Sequence, residues 1–184
     1  LSVIHKDRNL EDPTKAREVA VALKRMYRRR GRRQKQARAI NLDLRNCMIQ
    51  HAPRNILGLR DRALLSVAYD IGCRRAELVS ILVDDIDRGE DGSGTVLLRK
   101  SKTDQDGSGQ VRYLAPDTVA AVDAWLDASG IEDGHLFRSV RRSGSVNGPL
   151  PPQDVSRIFK RMARDAGVAP ELAKALSGHS TRVG

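Results

Sequence analysis

Residues 58–87, GLRDRALLSVAYDIGCRRAELVSILVDDID, decide the fold. Leu59, Ala63, Leu64, Val67 and Ala68 recur at helical spacing, which predicts a helix over 55–71 with these residues turned to a core. Gly72 interrupts that pattern, and a short helix is expected from about Arg75 to Leu82. Val83 to Ile86 is β-like, and the carboxylates Asp84, Asp85, Asp87, Glu90 and Asp91 around it read as a solvated turn without EF-hand spacing.

On either side the same reading continues. Residues 41–51 predict a helix with Leu42, Leu44, Cys47, Met48 and Ile49 as its apolar positions. Downstream, TVLLRK (95–100) and QVRYL (110–114) flank a polar loop, SKTDQDGSG, as the two arms of a hairpin would. Helical spacing returns over 117–128 and again over 153–166, and the Gly-, Ser- and Pro-rich residues 143–152 between them read as a loop. The fold class is therefore mostly α with a small antiparallel β-sheet, an α+β arrangement.

Upstream, the character changes. Asp12-Pro13 looks like a helix start, with apolar residues at 16, 19, 20, 23, 26 and 27 and Gly31 placed to end the helix. This face is too small for lipid anchoring and suits packing on protein. Residues 15–38 hold eleven basic residues against one acid, Glu18, while the remaining 22 basic and 22 acidic residues cancel. The whole formal charge of +10 thus belongs to one segment. Solubility charge would be spread more evenly, so a polyanion bound through counterion release is the expected partner.

Composition narrows the classes further. With 184 residues, 40% hydrophobic and 30% charged, the chain can bury a sizeable core and is not wholly disordered. Aromatics at 3% argue against a base-stacking surface. No apolar run reaches the roughly 20 residues of a membrane helix, and the start, LSVIHKDRNLEDPT, lacks the order of a signal peptide. Two cysteines, Cys47 and Cys73, make no disulfide framework, so a reducing cytoplasm is expected.

Familiar catalytic templates are missing: there is no GxxxxGK[ST] loop, no HExxH and no pair of CxxC motifs. Cys47 and His51 are four apart, but no second pair completes a metal site, and packing is the simpler reading. What remains is a set of cations at structural junctions. Arg74 and Arg75 follow the glycine break with Glu77 close behind, Lys102 lies at the hairpin tip, and His179 and Arg182 are three apart near the end. Guanidinium groups can stabilise charge on phosphate oxygens, and Lys or His can move a proton at a leaving oxygen. A chain with 33 basic residues offers many such sets, so residue type alone does not single this one out.

Order and surroundings do. The 58–87 stretch resembles the first conserved box of the tyrosine recombinase (phage integrase) family, with Arg74, Glu77 and Leu78 in the matching frame and Arg75 on a variable position. RKSKTD looks like the hairpin that carries the family's active-site lysine, which maps to Lys102. SGHSTRVG resembles the second box, His-x-x-Arg, in its Cre-like form, giving His179 and Arg182. The resemblance implies the DNA breaking-rejoining catalytic fold over 40–184, incomplete at its C-terminus. It also implies a basic helix and interdomain linker over 13–39, and over 1–12 the tail of an N-terminal helical core-binding domain. The linker would lie along DNA phosphates through Arg25, Arg28, Arg29, Arg30, Arg32, Arg33 and Lys35.

The chemistry implied is site-specific DNA recombination or integration through a 3′-phosphotyrosyl link, with no ATP, no metal and no other cofactor. Arg74 and Arg182 would bind the scissile phosphate, Lys102 would protonate the leaving 5′ oxygen, and His179 would assist proton handling, with Glu77 orienting the cations. Tyr27, Tyr69 and Tyr113 all precede the second box and do not map onto the nucleophile, which is expected beyond Gly184. The partners implied are double-stranded DNA and further copies of the protein, as a tetramer on DNA in the full-length form. A cytoplasmic, bacterial or phage-encoded protein is expected, with no membrane association. The alternatives are a catalytically inactive DNA-binding relative and a type IB topoisomerase-like enzyme.

Overall fold

The computed structural model of the protein describes residues 2–31, 37–99 and 109–182. They fall into two units, Leu1–Gln36 and Ala37–Gly184. In the first unit, α1 spans Ser2–Asp7 and α2 spans Arg17–Arg30. Asp12 does cap a helical turn, accepting from Thr14 N–H at 2.9 Å, but the turn is a short 3-10 segment, Pro13–Lys15. Ala16 is extended, so the long helix starts at Arg17 and not at Asp12-Pro13 as expected. Gly31 ends it as expected. No α2 residue is buried: Val19, Leu23, Met26 and Tyr27 keep 37–40% of their surface, so the apolar face expected to pack on protein is half open.

The second unit is built around α4, Ile56–Ile71. Asn55 caps its start by accepting from Gly58 N–H at 3.0 Å, and Gly72 ends it in the left-handed region at φ 55°, where a side chain is disfavoured. Three further helices pack on α4: α3 (Leu42–His51), α6 (Pro116–Ser129) and α7 (Pro152–Asp165). Its core face is wider than the spacing predicts, because Arg60, Asp61, Leu65 and Ser66 are buried along with the expected Ala63, Leu64, Val67 and Ala68. Leu42, expected to be inside, is 53% exposed at the start of α3.

A second short helix, α5 (Arg75–Ser80), follows the glycine break. Val83–Asp85 is a 3-10 turn and not a strand, and the strand begins only at Ile86. The three-stranded antiparallel sheet runs in the order β1 (Ile86–Arg88), β2 (Gly94–Leu98), β3 (Gln110–Leu114), with Val96 opposite Arg112. β2 alternates buried Gly94, Val96 and Leu98 with half-exposed Thr95 and Leu97, as a one-sided strand should. A second hairpin pairs β4 (Arg138–Val140) with β5 (Val146–Pro149), so the stretch 143–152, read as a loop, contains a strand. The chain then runs through α7 and α8 (Pro170–Ala175) to a 3-10 turn at Ser180–Arg182.

Trp125, Phe137 and Phe159 are the largest fully buried side chains, and the Trp125 indole N–H donates to the Leu136 carbonyl at 2.9 Å. Each contributes about 1.5–3 kcal/mol by leaving water. Charge is buried with them. Asp61, with 1% of its side chain exposed, accepts from Arg60 Nε at 2.7 Å and pairs with Arg161 of α7. Arg45 on α3 pairs with Asp117 on α6 at 2.7 Å and donates to Ser66 on α4 at 3.2 Å. These partners offset charges that would be costly to bury alone, although the buried Arg45 Nε has no hydrogen-bond partner among the described residues.

Candidate active site

The break after α4 sets the site. Cys73 is buried, and Arg74 sits in extended backbone as the N-cap of α5. Glu77, three residues on, reaches back over the helix start. Its Oε2 accepts from Arg74 N–H at 2.8 Å and its Oε1 from Arg74 Nη1 at 2.7 Å. The pair is only partly open, with 33% of the Arg74 side chain and 11% of Glu77 exposed. A carboxylate at this position satisfies an otherwise orphaned helix donor and fixes the guanidinium at the same time.

Burial pushes the Glu77 carboxyl up, but it is outweighed. Hydrogen bonds from Arg74 and the charges of Arg74 and Arg182 hold it below the ordinary carboxylate range. Burial, with help from the Glu77 charge, pushes the Cys73 thiol up to about 12 against the opposing Arg182 and Arg112 charges, so it stays a neutral neighbour. A depressed carboxyl stabilises the fold above the unfolded Glu value and loses that contribution as pH falls through its folded value. Glu77→Gln is therefore expected to cost about 1–3 kcal/mol at pH 7. Urea unfolding should show the gap to the parent protein closing as the carboxyl protonates in acid.

The second motif arrives from the end of the chain. Ile40 N–H donates to the Ser180 carbonyl at 2.9 Å, Ser180 is fully buried, and the Thr181 carbonyl lies against Gly72. Arg182 N–H closes the turn on the His179 carbonyl at 3.0 Å. The turn is 3-10 and not α-helical, a geometry in which positions three apart still share a side. His179 and Arg182 are exposed, and the Arg182 charge acts on both Glu77 and Cys73. Glu77 thus feels both its neighbour Arg74 and Arg182, more than a hundred residues later in the sequence.

Lys102 lies outside the described residues, as do Arg32, Arg33 and Lys35. The strand that leads toward Lys102 ends at Leu98, and Arg99 just beyond it pairs with Asp85 at 2.5 Å. Arg99, Asp85 and Glu77 line one small recess. Asp85 is thus no solvated turn residue. Its side chain is 1% exposed, and its Oδ2 accepts from Leu82 N–H at 2.9 Å. The three-residue spacing from Leu82, the same as from Arg74 to Glu77, was the available signal. Arg25, Arg28, Arg29 and Arg30 are exposed on α2 in the first unit. His51 Nδ1 lies 2.9 Å from the Cys47 carbonyl, and the Cys47 thiol reaches the Ala166 carbonyl just after α7 at 3.8 Å.

Comparison with known proteins places this fold. The model of the phage integrase family matches residues 38–184, and the chain belongs to that family. Over an alignment of 204 residues it is 28% identical to the recombinase Cre of Escherichia phage P1, taking in all of this chain and 58% of Cre. It is 34% identical over 134 residues to an integrase/recombinase XerD homologue of Selenomonas ruminantium, covering 69% of this chain and 38% of that protein. The crystal structure of XerA recombinase shares the fold at a TM-score of 0.57 and 18% identity, over 98% of this chain and 62% of that one. XerH site-specific recombinase bound to its difH substrate in a pre-cleavage complex aligns at 0.57 and 17% identity, over 81% of this chain and 42% of that one. The chain therefore spans between about two fifths and three fifths of the length of these relatives. No helix among the described residues is long and apolar enough to cross a membrane.

Proposed function

We propose that this chain supplies the phosphate pocket and the basic DNA-binding segment of a tyrosine-type site-specific recombinase. The observation that carries the reading is that Glu77 anchors the partly open Arg74 guanidinium at 2.7 Å while lying within reach of the Arg182 charge. A pair of arginines can grip the non-bridging oxygens of a phosphodiester and stabilise the charge that grows as the phosphorus is attacked. Glu77 keeps Arg74 in position. A tyrosine oxygen forms the new bond to phosphorus, the bond to the 5′ oxygen breaks, and Lys102 gives that oxygen its proton. His179 assists at the attacking hydroxyl or supports the phosphate. Religation reverses these steps, so phosphodiester energy is conserved in the protein–DNA link.

Residues 13–39 serve in this reading as basic helix and linker along the phosphates, with residues 1–12 closing a core-binding domain. The complete enzyme acts on double-stranded DNA in the cytoplasm as a tetramer. The supporting likeness is to proteins named as recombinases, one of them bound to its DNA substrate. The test is covalent capture, in which the full-length protein meets a pool of nicked duplexes of randomised sequence in the presence of EDTA and without ATP. Detergent-stable protein–DNA adducts are expected. DNA binding with no adduct would instead identify an inactive relative.

A further inference from the structure

Arg75 sits on a position the family leaves variable, yet it is not an idle neighbour of Arg74. The two consecutive arginines divide at the start of α5. Arg74 turns to Glu77, whereas the Arg75 side chain lies across Gly178, the residue immediately before His179. Its aliphatic stem covers Gly178 so closely that a Cβ there would overlap it. Gly178 is buried, and its N–H donates to Ser156 Oγ on α7 at 2.9 Å. Arg75 Nη1 reaches the same hydroxyl at 3.5 Å. One side chain of α7 therefore meets both the helix that carries Arg74 and the turn that carries His179 and Arg182.

Among the described residues, the other hydrogen bonds of that turn lie within it or run to Ile40, and Thr181 packs against the end of α4 at Gly72. Ser177 N–H donates to Ser180 Oγ at 2.9 Å, and His179 N–H donates to Ser177 Oγ at 3.1 Å. Neither bond sets the turn against α5. The Ser156 hydroxyl, with Arg75 stacked on Gly178, does.

We infer that Ser156 is a positioning residue for strand cleavage, fixing the His179–Arg182 turn relative to Arg74 through Gly178 N–H and Arg75. The inference rests on the recombinase reading above. Two arginines gripping one phosphate tolerate little relative displacement, since misplacement of about an ångström can cost on the order of a hundredfold in rate. Alanine at 156 is compatible with a helix and leaves the apolar contacts of α7 in place.

The experiment uses the full-length protein and a duplex recovered from the covalent-capture pool, with parent, Ser156→Ala and Ser156→Thr compared side by side. For Ser156→Ala the single-turnover cleavage rate at saturating DNA should fall about 10- to 100-fold, while DNA affinity and the melting temperature stay near those of the parent. Ser156→Thr, which restores a hydroxyl, should recover most of the rate. An unchanged rate in Ser156→Ala, a loss that Thr does not recover, or a loss that only tracks the melting temperature would overturn the inference. If the parent protein itself forms no adduct, the recombinase reading fails instead, and amide exchange still decides the contact. Gly178 N–H should exchange faster in Ser156→Ala than in the parent, and equal protection would overturn it.

Discussion

Arg182→Ala in the full-length protein is expected to lower the rate of covalent adduct formation by about three orders of magnitude, while DNA binding changes by only a few fold. A positioned donor to a developing oxyanion is worth about a hundred- to a thousandfold in rate, and an arginine on a transferring phosphoryl group can reach higher. Arg182 is exposed, on a turn whose neighbours Ser180 and Thr181 are buried. Its loss should therefore remove a charge without emptying the core. The drop should appear in the single-turnover rate at saturating DNA, because the interaction strengthens as charge builds on the phosphate. Parent-like cleavage would remove Arg182 from the pocket.

The second large effect is on binding and needs no cleavage. Arg28, Arg29 and Arg30 end α2 as three consecutive exposed cations in the segment that carries the chain's entire excess charge. Each phosphate they neutralise releases counterions, contributing about 0.9 to the slope of log affinity against log salt. Replacing all three by alanine should make that slope shallower by up to about three and weaken duplex binding at moderate salt by at least about tenfold. Fluorescence anisotropy over a salt series reads both. An unchanged slope would mean that the basic helix does not lie on phosphates.

The parts that were legible in the sequence are those governed by local rules. Gly72 ends α4 because the backbone there is left-handed, and the period of Ala63, Leu64, Val67 and Ala68 marks the buried face. The strands at 94–98 and 110–114 announce themselves by β-branched and aliphatic runs around a polar loop. What was hidden depends on distant partners. Asp61 looks like a surface carboxylate until Arg161, a hundred residues later, folds over it. Asp85 reads as part of an acidic turn because Arg99, which pairs with it, belongs to another strand segment. The β4–β5 hairpin was masked by its Gly, Ser and Pro content, and the 3-10 turn at Pro13 by a cap signal that fits either kind of helix.

The site was legible in a different way. The charge pattern located the basic helix, but the cations of the proposed pocket lie in a neutral remainder where no local statistic marks them. Motif order pointed to Arg74, Glu77, His179 and Arg182, and the geometry adds the reason Glu77 belongs with them. It is both the helix cap and the anchor of the Arg74 guanidinium. Ser156 carried no signal at all, since a serine within an amphipathic helix is ordinary until Gly178 is brought against it.

The central claim is that two guanidinium groups at α5 and the C-terminal turn serve phosphodiester cleavage by a protein nucleophile. The most direct measurement is the chemistry of the captured junction: adducts from the full-length protein, digested with protease and nuclease, are read by mass spectrometry. The account predicts a tyrosine joined to a 3′-phosphate and a released strand with a free 5′-hydroxyl, formed equally well in EDTA. A 5′-phosphate link, or cleaved DNA with no protein attached, would contradict it.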